Sequence, residues 1–307
     1  MHFDHQQLRA ALSDGLLSFP ITDFDQAGEF DVPSYEARLE WLRQYDVSAL
    51  FVAGGTGEFF SLTTREVETV VNSAVRVCGG RLPILSSAGR NVRDAIEQAR
   101  IAEEKGADGL LLMPPYLTEC PHEGLVDYVS RVCAATNLGV VLYNRANGQL
   151  DAASVLRLTT QCPNLIGFKD GVGNIQALNS IIKTVGDRLV YIGGVPTAEI
   201  FAEAYMAIGV NTYSSAVFNF VPEEAVKFYQ LLREGRTAQV SRLVEKFFVP
   251  FVALREHKRG YAVSLIKAGA ELIGHPGGSV RTPLVMPSDD ERAELERLIG
   301  IFRQMTR

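Results

Sequence analysis

The chain has 307 residues, 47% of them hydrophobic and 21% charged, the make-up of a globular protein with a large core and not of a disordered or fibrous one. A net charge of −6 leaves no cationic surplus, so neither nucleic acid nor an anionic membrane surface is expected as a partner. No apolar run approaches the ~20 residues of a membrane span, and the start Met1-His2-Phe3-Asp4-His5 has no signal-peptide core, so a cytoplasmic protein is expected.

From Gly15 to Glu234 short apolar runs alternate with helical patterns in units of about 25 to 30 residues, the rhythm of a parallel sheet with crossover helices. Strands are predicted at Leu16–Phe19, Ala49–Val52, Leu82–Ser86, Gly109–Met113, Gly139–Tyr143, Leu165–Lys169, Leu189–Gly193 and Thr212–Ser215. Helix starts are marked by Thr63-Thr64-Arg65-Glu66 and by Asn91, and Gly106 stops the helix that Asn91 begins. No GxGxxG follows the first strand, so a (β/α)8 barrel is expected in place of an open doubly wound sheet. Helices then follow at Thr237–Glu256, Tyr261–Ile273 and, after Ser288-Asp289-Asp290-Glu291, up to Met305. The expected organisation is a catalytic barrel over 1–235 and a helical extension over 236–307, packed on the barrel or serving as a subunit interface. Cys78, Cys120, Cys133 and Cys162 form no CxxC pair and, falling in predicted helices or at their ends, read as reduced core thiols. The histidines have no ligand spacing, and no metal is expected.

In a βα barrel the chemistry sits at the carboxyl ends of the strands, and those ends are polar here: Gly54-Gly55-Thr56-Gly57-Glu58, Tyr143-Asn144-Arg145, Lys169-Asp170-Gly171, Gly193-Gly194 and Ser214-Ser215. Lys169 ends an apolar run at a glycine-rich turn. An ordinary lysine is only about 0.04% neutral at pH 7, so an amine meant to attack a carbonyl needs the desolvation that a barrel interior provides. The turn from Gly54 to Gly57 offers backbone N–H groups to a carboxylate. Taken singly, a glycine turn or a strand-end tyrosine is ordinary packing, and a strand-end lysine usually reaches solvent. A lysine, a tyrosine and an anion-binding turn converging on one mouth point to catalysis.

The GxTGE turn followed by Ser61-Leu62-Thr63, the Tyr143-Asn144 strand end, and Gly167-Phe168-Lys169-Asp170 followed by Gly173-Asn174 resemble the lysine Schiff-base lyases of the dihydrodipicolinate synthase and N-acetylneuraminate lyase superfamily, over nearly the whole chain. Gly193 to Thr197 and Tyr213 to Phe220 are similar to the branch that dehydrates and decarboxylates 5-dehydro-4-deoxy-D-glucarate. The resemblance implies a Schiff base on Lys169, Tyr143 as proton shuttle, and the keto-acid carboxylate held by the turn of Gly55, Thr56 and Gly57. It implies no metal or organic cofactor, a keto-deoxy sugar diacid as substrate, and a homo-oligomer, either dimer or homotetramer. Asn144, Arg145, Gly193, Ser214 and Ser215 are the further candidates for substrate contact, and Glu58 is expected to be structural, favoured by a helix dipole. The synthases carry a relay threonine where this chain has Gly55, a relay tyrosine where it has Leu117, and a carboxylate-binding arginine placed differently from Arg145; these departures count against dihydrodipicolinate synthesis. Two rivals are an aldolase that releases pyruvate from a 2-keto-3-deoxy sugar acid through the same imine, and a non-catalytic keto-acid sensor, which the presence of both Lys169 and Tyr143 disfavours.

Overall fold

An apolar run buried on both faces makes a strand of a parallel sheet, and the expected runs do so. In the computed structural model, which describes residues 2–116 and 119–306, the strands are β1 (Leu17–Ser18), β2 (Ala49–Val52), β3 (Ile84–Ala88), β4 (Gly109–Leu112), β5 (Gly139–Asn144), β6 (Leu165–Asp170), β7 (Val190–Gly193) and β8 (Thr212–Ser215). Each pairs in parallel with its successor and β8 returns to β1, closing a barrel in chain order with helices between the strands. β3 runs two residues later than Leu82–Ser86. Pro83 has no N–H to donate, so the ladder begins at Ile84, whose own N–H goes to Asp108 Oδ2 at 3.0 Å.

Register decides which residues share a face. Across the β5–β6 pair Tyr143 lies beside Lys169, and Asn144 beside Asp170. Successive side chains alternate, so the first two face the barrel axis and the other two face the outer helices. Followed through Ile192 of β7 and Thr212 of β8, the same alternation turns Ser214 inward and Ser215 outward.

A helix absent from the expected elements, His5–Ser13, closes the amino-terminal end of the barrel. Asp4 and Gln7 cap it reciprocally. Leu8 and Leu12 are its buried residues, and Gly109 and Gly139 leave room for Leu8, since a Cβ on either would lie 2.7 or 3.3 Å from Leu8 Cδ2. Thr63 and Asn91 cap the helices Thr64–Cys78 and Val92–Glu104 as expected.

In the tail, the expected single helix Thr237–Glu256 is Thr237–Leu243, a π turn over Val244–Phe248, and Val249–Arg255. The π turn ends two residues before Pro250, whose ring and missing N–H do not fit a regular helical ladder. Tyr261–Leu272 and Asp289–Thr306 follow. Phe247 stacks on Phe302 at 4.1 Å between centroids, and Phe248 meets Phe228 of the helix Pro222–Arg233 edge-on at 4.8 Å. Aromatic packing thus joins the tail to the end of the barrel. Among the described residues no helix is long and apolar enough to cross a membrane.

Candidate active site

Lys169 closes β6 on its inner face and is only 2% exposed. Its Nζ donates to the Gly194 carbonyl at 3.0 Å and sits 3.9 Å from the centroid of the Tyr143 ring and 5.1 Å from that of Phe19. Phe19 is itself stacked on Phe51 at 4.9 Å, so the floor beneath the amine is aromatic. Burial among these groups pushes the ammonium below the ordinary lysine value, Tyr143 partly opposes the shift, and the Arg145 charge adds to it. The neutral, nucleophilic amine is favoured by the same enclosure that holds the chain in place.

Tyr143 donates its hydroxyl hydrogen to the same Gly194 oxygen at 2.8 Å, and Arg145 Nη1 donates to the Tyr143 oxygen at 3.0 Å. Burial alone would raise the phenol, but the positive charges of Lys169 and Arg145 outweigh it and leave Tyr143 below its ordinary value. Two glycines make the arrangement possible. A Cβ on Gly194 would lie 2.6 Å from Lys169 Cγ, and one on Gly171 would lie 2.6 Å from the Tyr143 ring and 2.9 Å from Arg145 Cβ. Behind the strand Asp170 accepts from the N–H groups of Val172 and Gly173, both at 3.0 Å, and from Tyr205 at 2.8 Å. That carboxylate fixes the turn from which Lys169 projects.

The turn after β2 lies across the same mouth. Gly55 is exposed with open space around its Cα, Thr56 is partly exposed and Gly57 is buried, where a Cβ would press on the Pro20 carbonyl at 3.0 Å. Among the described residues no acceptor takes the N–H of Thr56 or Gly57, which leaves both available to a carboxylate. Glu58 does not have the helix-dipole role expected of it. It has a left-handed backbone (φ 58°), is fully buried, and lies 2.9 Å from the equally buried Lys267 Nζ as an ion pair. Its other oxygen accepts from the Arg281 N–H at 3.0 Å, and Lys267 also donates to the Ser279 carbonyl at 3.0 Å. The turn is therefore pinned by residues of the tail.

With this geometry in place, the chain can be compared with known proteins. A sequence profile of the dihydrodipicolinate synthetase family matches residues 12–301. The chain belongs to that family. It is 51% identical over 294 residues to the 5-dehydro-4-deoxyglucarate dehydratase of Pseudomonas putida, covering 96% of this chain and 97% of that one. It is 52% identical over 299 residues to a probable 5-dehydro-4-deoxyglucarate dehydratase of Acinetobacter baumannii, covering 97% and 98%. Among solved structures it is similar to YagE, a dihydrodipicolinic acid synthase family protein from a prophage of E. coli K12 in complex with pyruvate, with a TM-score of 0.85 at 26% identity over 94% of this chain and 98% of that one.

For this member of the dihydrodipicolinate synthetase family the structure brings together Lys169, Tyr143, Arg145, Ser214 and the turn of Gly55, Thr56 and Gly57. It does not bring in three other expected residues. Asn144 faces outward and its carboxamide oxygen accepts from Leu150 N–H at 2.9 Å, closing the loop after β5. Ser215 faces outward and donates to Glu199 at 2.6 Å. Gly193 also faces outward, where a Cβ would strike the Tyr205 ring at 2.7 Å; the neighbour that matters is Gly194. Each of these is the wrong member of an adjacent pair, and the alternation of a strand separates them. Cys78, Cys133 and Cys162 are buried as expected of core thiols, but Cys120 is exposed and not part of the core. Leu117, expected to mark a missing relay group, lies outside the described residues. Sequence reading missed Lys267, although a lysine inside the apolar run Val263 to Ala270 is itself a signal of a buried cation.

Proposed function

We propose that the chain catalyses the decarboxylating dehydration of 5-dehydro-4-deoxy-D-glucarate to 2,5-dioxopentanoate, water and carbon dioxide through a Schiff base on Lys169. The observation that carries this reading is the single Gly194 carbonyl shared by a buried amine and a buried phenol. The names of the Pseudomonas and Acinetobacter relatives support the substrate.

The amine adds to the ketone, Tyr143 supplies a proton to the departing oxygen, and water leaves to give an iminium. The phenolate takes a proton from the adjacent methylene, and the enamine electrons expel the β-hydroxyl, which leaves as water with a proton returned by Tyr143. The conjugated iminium then accepts the electron pair of the bond to the far carboxylate, which departs as carbon dioxide. The carbon that lost carbon dioxide is left as an enol; its hydroxyl gives up its proton to become the aldehyde while the two carbons between it and the imine each take up a proton, and water then hydrolyses the imine to the keto group and frees Lys169. Thr56 and the N–H groups of the β2 turn hold the carboxylate next to the ketone, and Ser214 meets the sugar hydroxyls. The residues 1–235 act as the catalytic barrel and 236–307 as a helical extension. We read the protein as a cytoplasmic homo-oligomer; its free thiols support a reducing compartment, and the resemblance supports the assembly.

The pyruvate complex of YagE favours a second reading, an aldolase that releases pyruvate. Substrate labelled in the far carboxylate separates the two. Labelled carbon dioxide is expected in step with a five-carbon semialdehyde, and borohydride during turnover is expected to fix substrate on Lys169. Stoichiometric pyruvate with the label retained in a three-carbon product would establish the aldolase, and full activity of Lys169→Ala would remove both readings.

A further inference from the structure

We infer that Arg145 is a positioning residue for Tyr143: it aims the phenol at the Gly194 carbonyl and remains the fixed countercharge for the phenolate while the charge on Lys169 comes and goes. The inference rests on the Schiff-base reading above and gives the arginine a role other than gripping substrate.

Placement is the first support. Arg145 follows Tyr143 by two residues in extended backbone (φ −156°, ψ 154°), so the two side chains leave the same face of the strand end. Its carbonyl accepts from Gly148 N–H at 2.8 Å, and Asn144 holds Leu150 N–H, so the loop behind it is tied down on both sides. Its Nη1 reaches the Tyr143 oxygen at 3.0 Å. Among the described residues the charged and titratable groups around the phenol are Lys169 on β6 and Arg145 just after β5, with Asp170 behind β6 held by Tyr205 of the helix Ala202–Ala207.

Charge through the cycle is the second support. The Lys169 nitrogen is neutral as nucleophile, positive as iminium and neutral again as enamine, so it cannot stabilise a phenolate at every step. A guanidinium stays protonated throughout. A guanidinium gripping the far carboxylate would instead hold the ground-state anion that must leave as neutral carbon dioxide, and so would slow that step.

The test uses the ultraviolet titration of tyrosinate, taken as the parent spectrum minus that of Tyr143→Phe, which needs no substrate. In Arg145→Gln the Tyr143 band is expected to move up by about one pH unit or more, and Arg145→Lys, which keeps a charge, is expected to stay nearer the parent. On the diacid, Arg145→Gln is expected to lose about 10- to 100-fold in kcat with KM within about threefold. An unmoved tyrosinate band overturns the inference, as does a KM raised tenfold at unchanged kcat, which would make Arg145 a substrate ligand. Because the titration is independent of turnover, a parent that fails to dehydrate the diacid would sink the dehydratase reading and leave this result standing.

Discussion

At the centre of the site the Gly194 oxygen accepts from Lys169 at 3.0 Å and from Tyr143 at 2.8 Å, using both lone pairs of one carbonyl. A neutral amine that donates to that oxygen keeps its own lone pair free, and the phenol is held on the same carbonyl beside it. Tyr143→Phe removes only the hydroxyl, and kcat is expected to fall by about 10²- to 10⁴-fold with the fold retained; turnover within about twofold of the parent would make Tyr143 a packing residue. Gly194→Ala tests the other partner. Its Cβ would lie 2.6 Å from Lys169 Cγ, so the lysine must be displaced, and since misplacing a reacting group by about 1 Å can cost ~10²-fold, a loss of that order in kcat/KM is expected in steady-state kinetics.

The turn after β2 is an element whose shape comes from elsewhere in the chain. Glu58 holds a left-handed backbone, which is costly for a side chain of that size, and is tied there by Lys267 and by the Arg281 N–H. Arg281 further donates to the Ser61 and Gly28 carbonyls and pairs with Glu66. Both charges of the Glu58–Lys267 pair are fully buried, so removing one strands the other, at a cost of about 3–5 kcal/mol. Lys267→Met is expected to lower stability by that amount in urea unfolding and to raise KM, because the turn loses its anchor. Glu58→Gln combined with Lys267→Met should recover much of the stability. Equal losses in the single and double variants would mean that the pair is not coupled.

Across the whole molecule one core runs from Leu8 at the foot of the barrel to Phe302 in the last helix. Within it Glu199 is buried against Ser215 with its second carboxylate oxygen unpaired. Burial pushes its pKa up to about 7 from the ordinary value, against the opposing effects of the Ser215 bond and Arg255. The raised value sets the sign. Between about pH 4.5 and 7 the unfolded chain has lost this proton and the folded one keeps it, so stability falls as pH rises, by about 3 kcal/mol in all. Glu199→Gln cannot ionise, so its urea midpoint is expected to exceed the parent's near pH 8 and to lack this decline. A parent whose stability does not fall across that window would show that Glu199 ionises without cost in the fold.

The amino-acid sequence by itself determined the barrel, because most strands start in short apolar runs and helices such as Thr64–Cys78 and Val92–Glu104 are opened by their own caps, both local properties. It also determined the residue types at the strand ends, including Lys169, Tyr143 and the Gly54 to Gly57 turn. The tertiary structure decided which of two neighbours faces the mouth: Gly194 and not Gly193, Ser214 and not Ser215, Tyr143 and not Asn144. Facing direction follows from register around a closed sheet, and a shift of one residue reverses it, so local pattern does not reach it. The structure also decided the partners of Glu58, since Lys267 and Arg281 lie more than 200 residues away in the chain and meet it only when the tail packs on the barrel.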